Sequence, residues 1–194
     1  MKLLGDARSG NCLKVSYTAD YLGIPYEWEE VDIMQGESRS DRFLAINPQG
    51  QVPAVEFDDG RMLAQSNAIV RYLAAGSNLL PAEPYLQAKI DEWLFWEQYS
   101  HEPYIAVCRF QMLFLGKTPE AREPWRVERG EAALDMMDRT LDAAEWLDGR
   151  AFSIADIALL AYTRVADEGG FDLAPRPNVT RWVAACEDRL GIER

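Results

Sequence analysis

Three stretches of this 194-residue chain carry side chains whose types and spacing could do chemistry. In Arg8-Ser9-Gly10-Asn11-Cys12 a hydroxyl, an amide and a thiol fall together at the head of an apolar-periodic segment. Such a place is a helix N-terminus, where the partial positive charge favours anions and lowers a thiol pKa. An exposed Cys12 there would form mixed disulfides. Cys12 also lies on one apolar stripe with Val15, Ala19 and Leu22, which makes it a small core hydrophobe. Ser9 is in the first place a helix cap, stabilising by ~1 kcal/mol whatever the function. Asn11 is either a second cap or an amide offered to a ligand. In the second stretch, Asn47-Pro48-Gln49-Gly50-Gln51-Val52-Pro53-Ala54-Val55, a turn feeds directly into a strand. Pro53 has no N–H for a ladder, and a cis Val52–Pro53 bond would turn the N–H and C=O of Val52 outward, a docking edge for another peptide. The third, Gln65-Ser66-Asn67-Ala68-Ile69, places a hydroxyl before an apolar-periodic helix, whose N-terminus favours a carboxylate. The last two together suit a small anionic peptide.

The elements that would position these residues follow from hydrophobic period. Lys2 to Gly5 is a short strand, and the Cys12–Leu22 stripe is a helix ended by Gly23 and Pro25. Tyr26 to Val31 is a second strand, and Asp41 to Ile46 a short helix. Val55 to Phe57 and Arg61 to Leu63 flank Asp58-Asp59-Gly60, a hairpin signature. Ser66 to Ala75 is the next helix. The order strand, helix, strand, helix, strand, strand, helix predicts a small mixed sheet with covering helices. Gly76 to Pro84 marks a linker, and beyond it every strong period is helical. One long helix opens at Ile90 and should bend at Pro103. A second keeps its period from Val127 through Leu134, Met137, Leu141 and Ala144 to Leu147. Ser153-Ile154-Ala155-Asp156 is a capping box, with Phe152 placed to staple onto Ile157. The helix it opens is apolar almost all round and should be buried. Pro177 to Leu190 is the last. The division falls into residues 1–78, α/β, and 85–194, all helical.

A formal net charge of −12 argues against nucleic acid as a partner. It also repels an anionic peptide at long range, so any such site must rest on backbone donors, helix termini and a few cations. No apolar run approaches the ~18 residues of a membrane span, and no signal peptide opens the chain. Three widely spaced cysteines make neither a disulfide framework nor a metal site. The chain is therefore expected to be reduced, cytoplasmic and metal-free. The lone His101 has no triad partner.

The run Asn47 to Val55 followed by Gln65-Ser66 resembles the glutathione-binding half of the glutathione transferase family. Phe152 to Ala158 resembles the buried capping-box motif of that family's helical half, and the helix start at Asn178-Val179 is similar too. The resemblance implies a thioredoxin-like N-terminal domain, an all-helical C-terminal domain and glutathione as co-substrate. Arg8 to Val15 resembles the active-site segment of the serine-type members, which puts Ser9 beside the glutathione sulfur with Asn11 as its neighbour. It implies Gln51, Val52, Pro53, Gln65, Ser66, Asn67 and Arg39 or Arg42 as the tripeptide's contacts, Ser66 holding the γ-glutamyl carboxylate. Gln65 stands where many members carry an acid. Tyr99, His101, Tyr104 and Arg109 fall on the helix that walls the electrophile cleft in this family. A small electrophilic substrate and a homodimer are likewise implied. Two other functions stand beside conjugation: a glutathione-dependent disulfide or peroxide reductase using Cys12, and a non-enzymatic interaction protein of the same fold.

Overall fold

The computed structural model describes residues 1–192. The chain divides at Leu80/Pro81 into two compact units. In the first, the connections dictate the pairing. Strand β1 (Lys2–Gly5) reaches β2 (Glu27–Glu30) through helix α1 (Gly10–Tyr21), a crossover that makes the pair parallel, with Leu3 opposite Trp28. Strands β3 (Ala54–Glu56) and β4 (Met62–Ala64) are joined by the Asp58-Asp59-Gly60 turn and are antiparallel, with Val55 opposite Leu63. Strand β3 lies antiparallel beside β1, so the sheet order is β2-β1-β3-β4.

Alternation along the strands assigns the two faces. Leu4 and Ala54 face one way and pack with Val31 and with Phe43 of the short helix α2 (Asp41–Ile46). Gly5 shares its face with Leu3, and a Cβ on Gly5 would stand 2.9 Å from Cys12 Sγ. That missing side chain lets the first turn of α1 press onto the end of β1 and fixes where Ser9 lies. Cys12, Val15 and Ala19 are fully buried, as their stripe predicts, while Leu22, its last member, is the C-cap of α1 and only half-buried. Helix α3 (Ser66–Leu73) packs against α1.

The second unit is helical. Helix α4 (Pro84–Trp96) is capped by Glu83, whose carboxylate accepts from the N–H of Tyr85 and Leu86. A π turn over Glu97–His101 joins it to α5 (Glu102–Leu113). Pro103 has no N–H for the carbonyl of Tyr99, and its ring crowds that carbonyl; a widened turn absorbs the misfit without ending the helix. Helix α6 (Pro124–Leu141) stops short of the expected Leu147. Ala144 and Leu147 keep the period but lie beyond the helix, and the N–H of buried Leu147 is taken by Asp156 Oδ1 at 3.0 Å.

Every residue of α7 (Ile154–Thr163) is buried, and the capping box forms as read. Asp156 accepts from Ser153 N at 3.0 Å, from Ser153 Oγ at 3.2 Å and from Trp182 Nε1 of α8 (Pro177–Leu190) at 2.9 Å. The N-terminus of α8 is capped from α6, where Asp138 Oδ1 accepts from the N–H of Asn178 and Val179 at 2.9 and 3.1 Å. No helix among the described residues is long and apolar enough to cross a membrane.

Candidate functional site

Ser9 occupies the N-cap of α1 with an extended backbone, yet its side chain makes no capping hydrogen bond. The ordinary use of a serine at this position is therefore not exercised. Its carbonyl accepts from the N–H of Cys12 and Leu13, and its hydroxyl stands beside the Cys12 thiol. Burial pushes that thiol up to about 12, against the smaller downward pull of Ser9 and of the Asp6 backbone. The turn before Ser9 is rigid. Asp6 is fully buried, and burial acts to raise its carboxyl. The Arg8 guanidinium, at 2.9 and 2.7 Å, together with the N–H of Arg8 and Ile33, brings it below the ordinary value. Arg8 also bridges to Asp32.

The exposed, dipole-activated thiol that a disulfide exchange needs is absent at Cys12. Its side chain is 0% exposed and its pKa moves the wrong way. A catalytic role for Cys12 is thus corrected to packing. Cys108 and Cys186 are also free and buried.

Asn11 joins two of the expected elements. Its Oδ1 accepts from the Ser66 hydroxyl at 2.9 Å, linking the first turn of α1 to the first turn of α3. The same oxygen accepts from Lys14 Nζ at 2.7 Å. Lys14 is fully buried, which the sequence reading missed; an exposed face is the usual place of a lysine. The signal was the Asn11–Lys14 spacing, which puts both on one side of a helix.

At the head of α3, Gln65 has φ 72° and ψ 111°, a left-handed conformation costing ~1–3 kcal/mol in a side-chain-bearing residue. Among the described residues it is the one non-glycine with positive φ. Its Nε2 donates to Gln49 Oε1 at 2.8 Å, tying α3 to the turn before β3. Ser66 is 6% exposed, and Asn67 follows it in the first turn.

The Val52–Pro53 bond is cis, as expected. The β1–β3 ladder stops at Leu4–Ala54, so the backbone of Val52 lies outside the sheet's pairing. Asn47 holds the turn in front of it: its Nδ2 donates to the Gln51 carbonyl at 2.7 Å and its Oδ1 accepts from Gln49 N at 3.2 Å. Arg39 Nη1 donates to the Gln49 carbonyl at 3.0 Å. Its guanidinium lies across Gly50, where φ is 62° and a Cβ would come within 2.5 Å of Nη1. Arg42, the other candidate cation, points elsewhere and pairs with Glu29 at 2.6 Å. The turn 47–53, Arg39, Gln65, Ser66 and Asn11 thus form one linked group.

In the helical unit, His101 is fully buried with Nε2 2.9 Å from Thr163 Oγ1, a packing arrangement. Arg109 pairs with Glu168, and Tyr104 Oη accepts from Arg129 at 3.0 Å. Tyr99 is 80% exposed.

A family model described as glutathione S-transferase, N-terminal domain, matches residues 8–75. A second, glutathione S-transferase, C-terminal domain, matches residues 104–189. Among curated relatives, glutathione S-transferase GstB of Escherichia coli K12 is 30% identical over 207 residues, covering 99% of this chain and 95% of that protein. A glutathione S-transferase structure from Pseudomonas fluorescens Pf-5 superposes with a TM-score of 0.92 at 49% identity, over 96% of this chain and 94% of that one. One from Xanthobacter autotrophicus Py2 gives 0.91 at 43% identity, over 96% and 92%.

Proposed function

The chain belongs to the glutathione transferase family, and from that premise we propose that it joins glutathione to small electrophiles, with Ser9 stabilising the thiolate. The observation that carries this reading is a serine at the N-cap position of α1 whose hydroxyl makes no capping bond and instead turns to a sulfur, that of Cys12. A thiol of ordinary pKa ~8.5 is only a few per cent ionised at neutral pH. A hydroxyl donating to the sulfur, with the N-terminal dipole of α1 behind it, favours the charged form. The thiol proton leaves to solvent, the sulfur forms a bond to the electrophilic carbon, and the leaving group departs with its electron pair.

The remaining residues hold the tripeptide. The N–H groups at the head of α3, on Ser66 and Asn67, receive the γ-glutamyl carboxylate. The Gln65 amide oxygen accepts from the γ-glutamyl ammonium. The outward N–H and C=O of Val52 pair with the cysteinyl backbone, with Pro53 fixing their direction. Arg39 and Gln51 face the glycyl carboxylate. The Ser66 hydroxyl donates to Asn11 (2.9 Å), so its backbone N–H, more than its hydroxyl, is the carboxylate donor. Retention on immobilised glutathione with elution by free glutathione is the expected result; passage through the column overturns the reading.

The protein is further proposed to be a cytoplasmic homodimer. Tyr85, Phe95 and Tyr99 lie along one side of α4 and the π turn, 68%, 75% and 80% exposed. Phe57, Met62 and Tyr72 on the α/β unit of a second copy offer an apolar counterpart. Light scattering should give twice the subunit mass, and Phe95→Glu a single subunit.

A further inference from the structure

Lys14 is a charged side chain with none of its surface exposed, and such residues are almost never fully buried without a dedicated partner. Its partner Asn11 is also the residue that touches Ser66. A lysine has three donors and no acceptor, so it can meet the Asn11 amide only at its oxygen. The Lys14 contact at 2.7 Å therefore sets which way the Asn11 amide faces. The oxygen so placed is the one that receives the Ser66 hydroxyl at 2.9 Å. With its proton directed at Asn11, the Ser66 side chain is fixed at the first position of α3, and the N–H groups of that turn stand as donors for an anion.

We propose that Lys14 is a positioning residue for glutathione, acting through Asn11 on the head of α3. The proposal rests on the reading that glutathione's γ-glutamyl carboxylate binds there. It adds how an acidic chain makes that place attractive to an anion: a buried positive charge stands one amide behind the donors. Lys14 touches neither the sulfur nor the electrophile. Its effect falls on affinity for glutathione and leaves the chemical step alone.

The test is steady-state kinetics of the full-length protein with glutathione and an aryl halide. Lys14→Met keeps length and packing while removing the donors and the charge. Loss of one charge-assisted contact should raise KM for glutathione about tenfold. kcat, KM for the aryl halide and the midpoint of the pH–rate profile should stay within about twofold, a split that a merely structural loss does not produce. Lys14→Arg, which keeps donors and charge, should recover most of the affinity. If Lys14 acts through Asn11, then in an Asn11→Leu background Lys14→Met should add nothing further. Should Lys14→Met fail to fold, Lys14→Gln carries the same readout. An unchanged KM for glutathione in the folded variant, or full additivity with Asn11→Leu, overturns the role of Lys14. A wild-type protein that shows no saturation by glutathione overturns the site itself, and the role of Lys14 with it.

Discussion

Replacing Asp156 by Asn changes one atom in the centre of the helical unit, and the structure says what that atom does. The carboxylate accepts four hydrogen bonds, two on Oδ1 from Leu147 N and Trp182 Nε1 and two on Oδ2 from Ser153 N and Oγ. An amide oxygen can keep the first two. Its NH2 then faces the Ser153 N–H, donor against donor, while the Ser153 hydroxyl can turn to accept. One buried donor left without an acceptor costs ~1–3 kcal/mol, and the loss of charge weakens the bonds that remain. The expected destabilisation is about 3 kcal/mol, or a shift of ~1–2 M in a urea midpoint at an ordinary m-value. Tryptophan emission reports it directly, because five of the six tryptophans (Trp93, Trp96, Trp125, Trp146 and Trp182) lie in this unit.

The same site carries a pH signature. Burial pushes the Asp156 carboxyl up to about 6 in the folded protein from 3.8, against the pull of its four donors. A folded-state pKa above the unfolded one means that folding takes up a proton between those values. The Asp156 contribution is thus fully present below 3.8 and declines as pH rises through about 6. The amide that replaces the carboxyl in Asp156→Asn does not titrate, so the gap between wild type and this variant should be wider at about pH 5 than at about pH 7.5. A destabilisation under about 1 kcal/mol would refute the hydrogen-bond reasoning, given the cost of one buried orphan donor. A gap that narrows on acidification would show that the donors outweigh burial.

Native protein at about pH 8 should react with a thiol reagent at none of its three cysteines, since burial raises Cys12 to about 12 and raises Cys108 and Cys186 as well; all should react in denaturant. Glutathione disulfide should likewise leave Cys12 unmodified by mass spectrometry, and an adduct there would restore the redox reading. Gly50→Ala puts a methyl against Arg39 at a φ of 62° and should weaken glutathione binding ~10-fold through displacement of the loop, checked by calorimetry.

The elements that hold the proposed site were legible because their signals are local. The Cys12–Leu22 stripe, the Asp-Gly hairpin turn and the Ser153–Asp156 box each specify structure within a few residues; the turn and the box formed, and the stripe is buried through Ala19, with Leu22 half-buried at the helix end. What the sequence hid depends on partners far along the chain. Leu147 kept a helical period because it is buried, but its N–H is claimed by Asp156, and α6 ends earlier. Nothing local singles out Lys14, because Asn11 and Ser66, which meet beside it, are 55 residues apart. The left-handed backbone of Gln65 gave no sign either, since that conformation usually selects glycine or asparagine. It is held by the turn at Gln49, a long-range contact.

The central claim is that the Ser9 hydroxyl stabilises the glutathione thiolate, and Ser9→Ala tests it most directly. With glutathione and an aryl halide, kcat/KM should fall by about 100-fold, the usual cost of one donor aimed at developing charge. Glutathione affinity should hold within about threefold, because the tripeptide's other contacts remain. The midpoint of the pH–rate profile should rise toward the ordinary thiol value of ~8.5. Unchanged turnover with an unmoved midpoint would contradict the account.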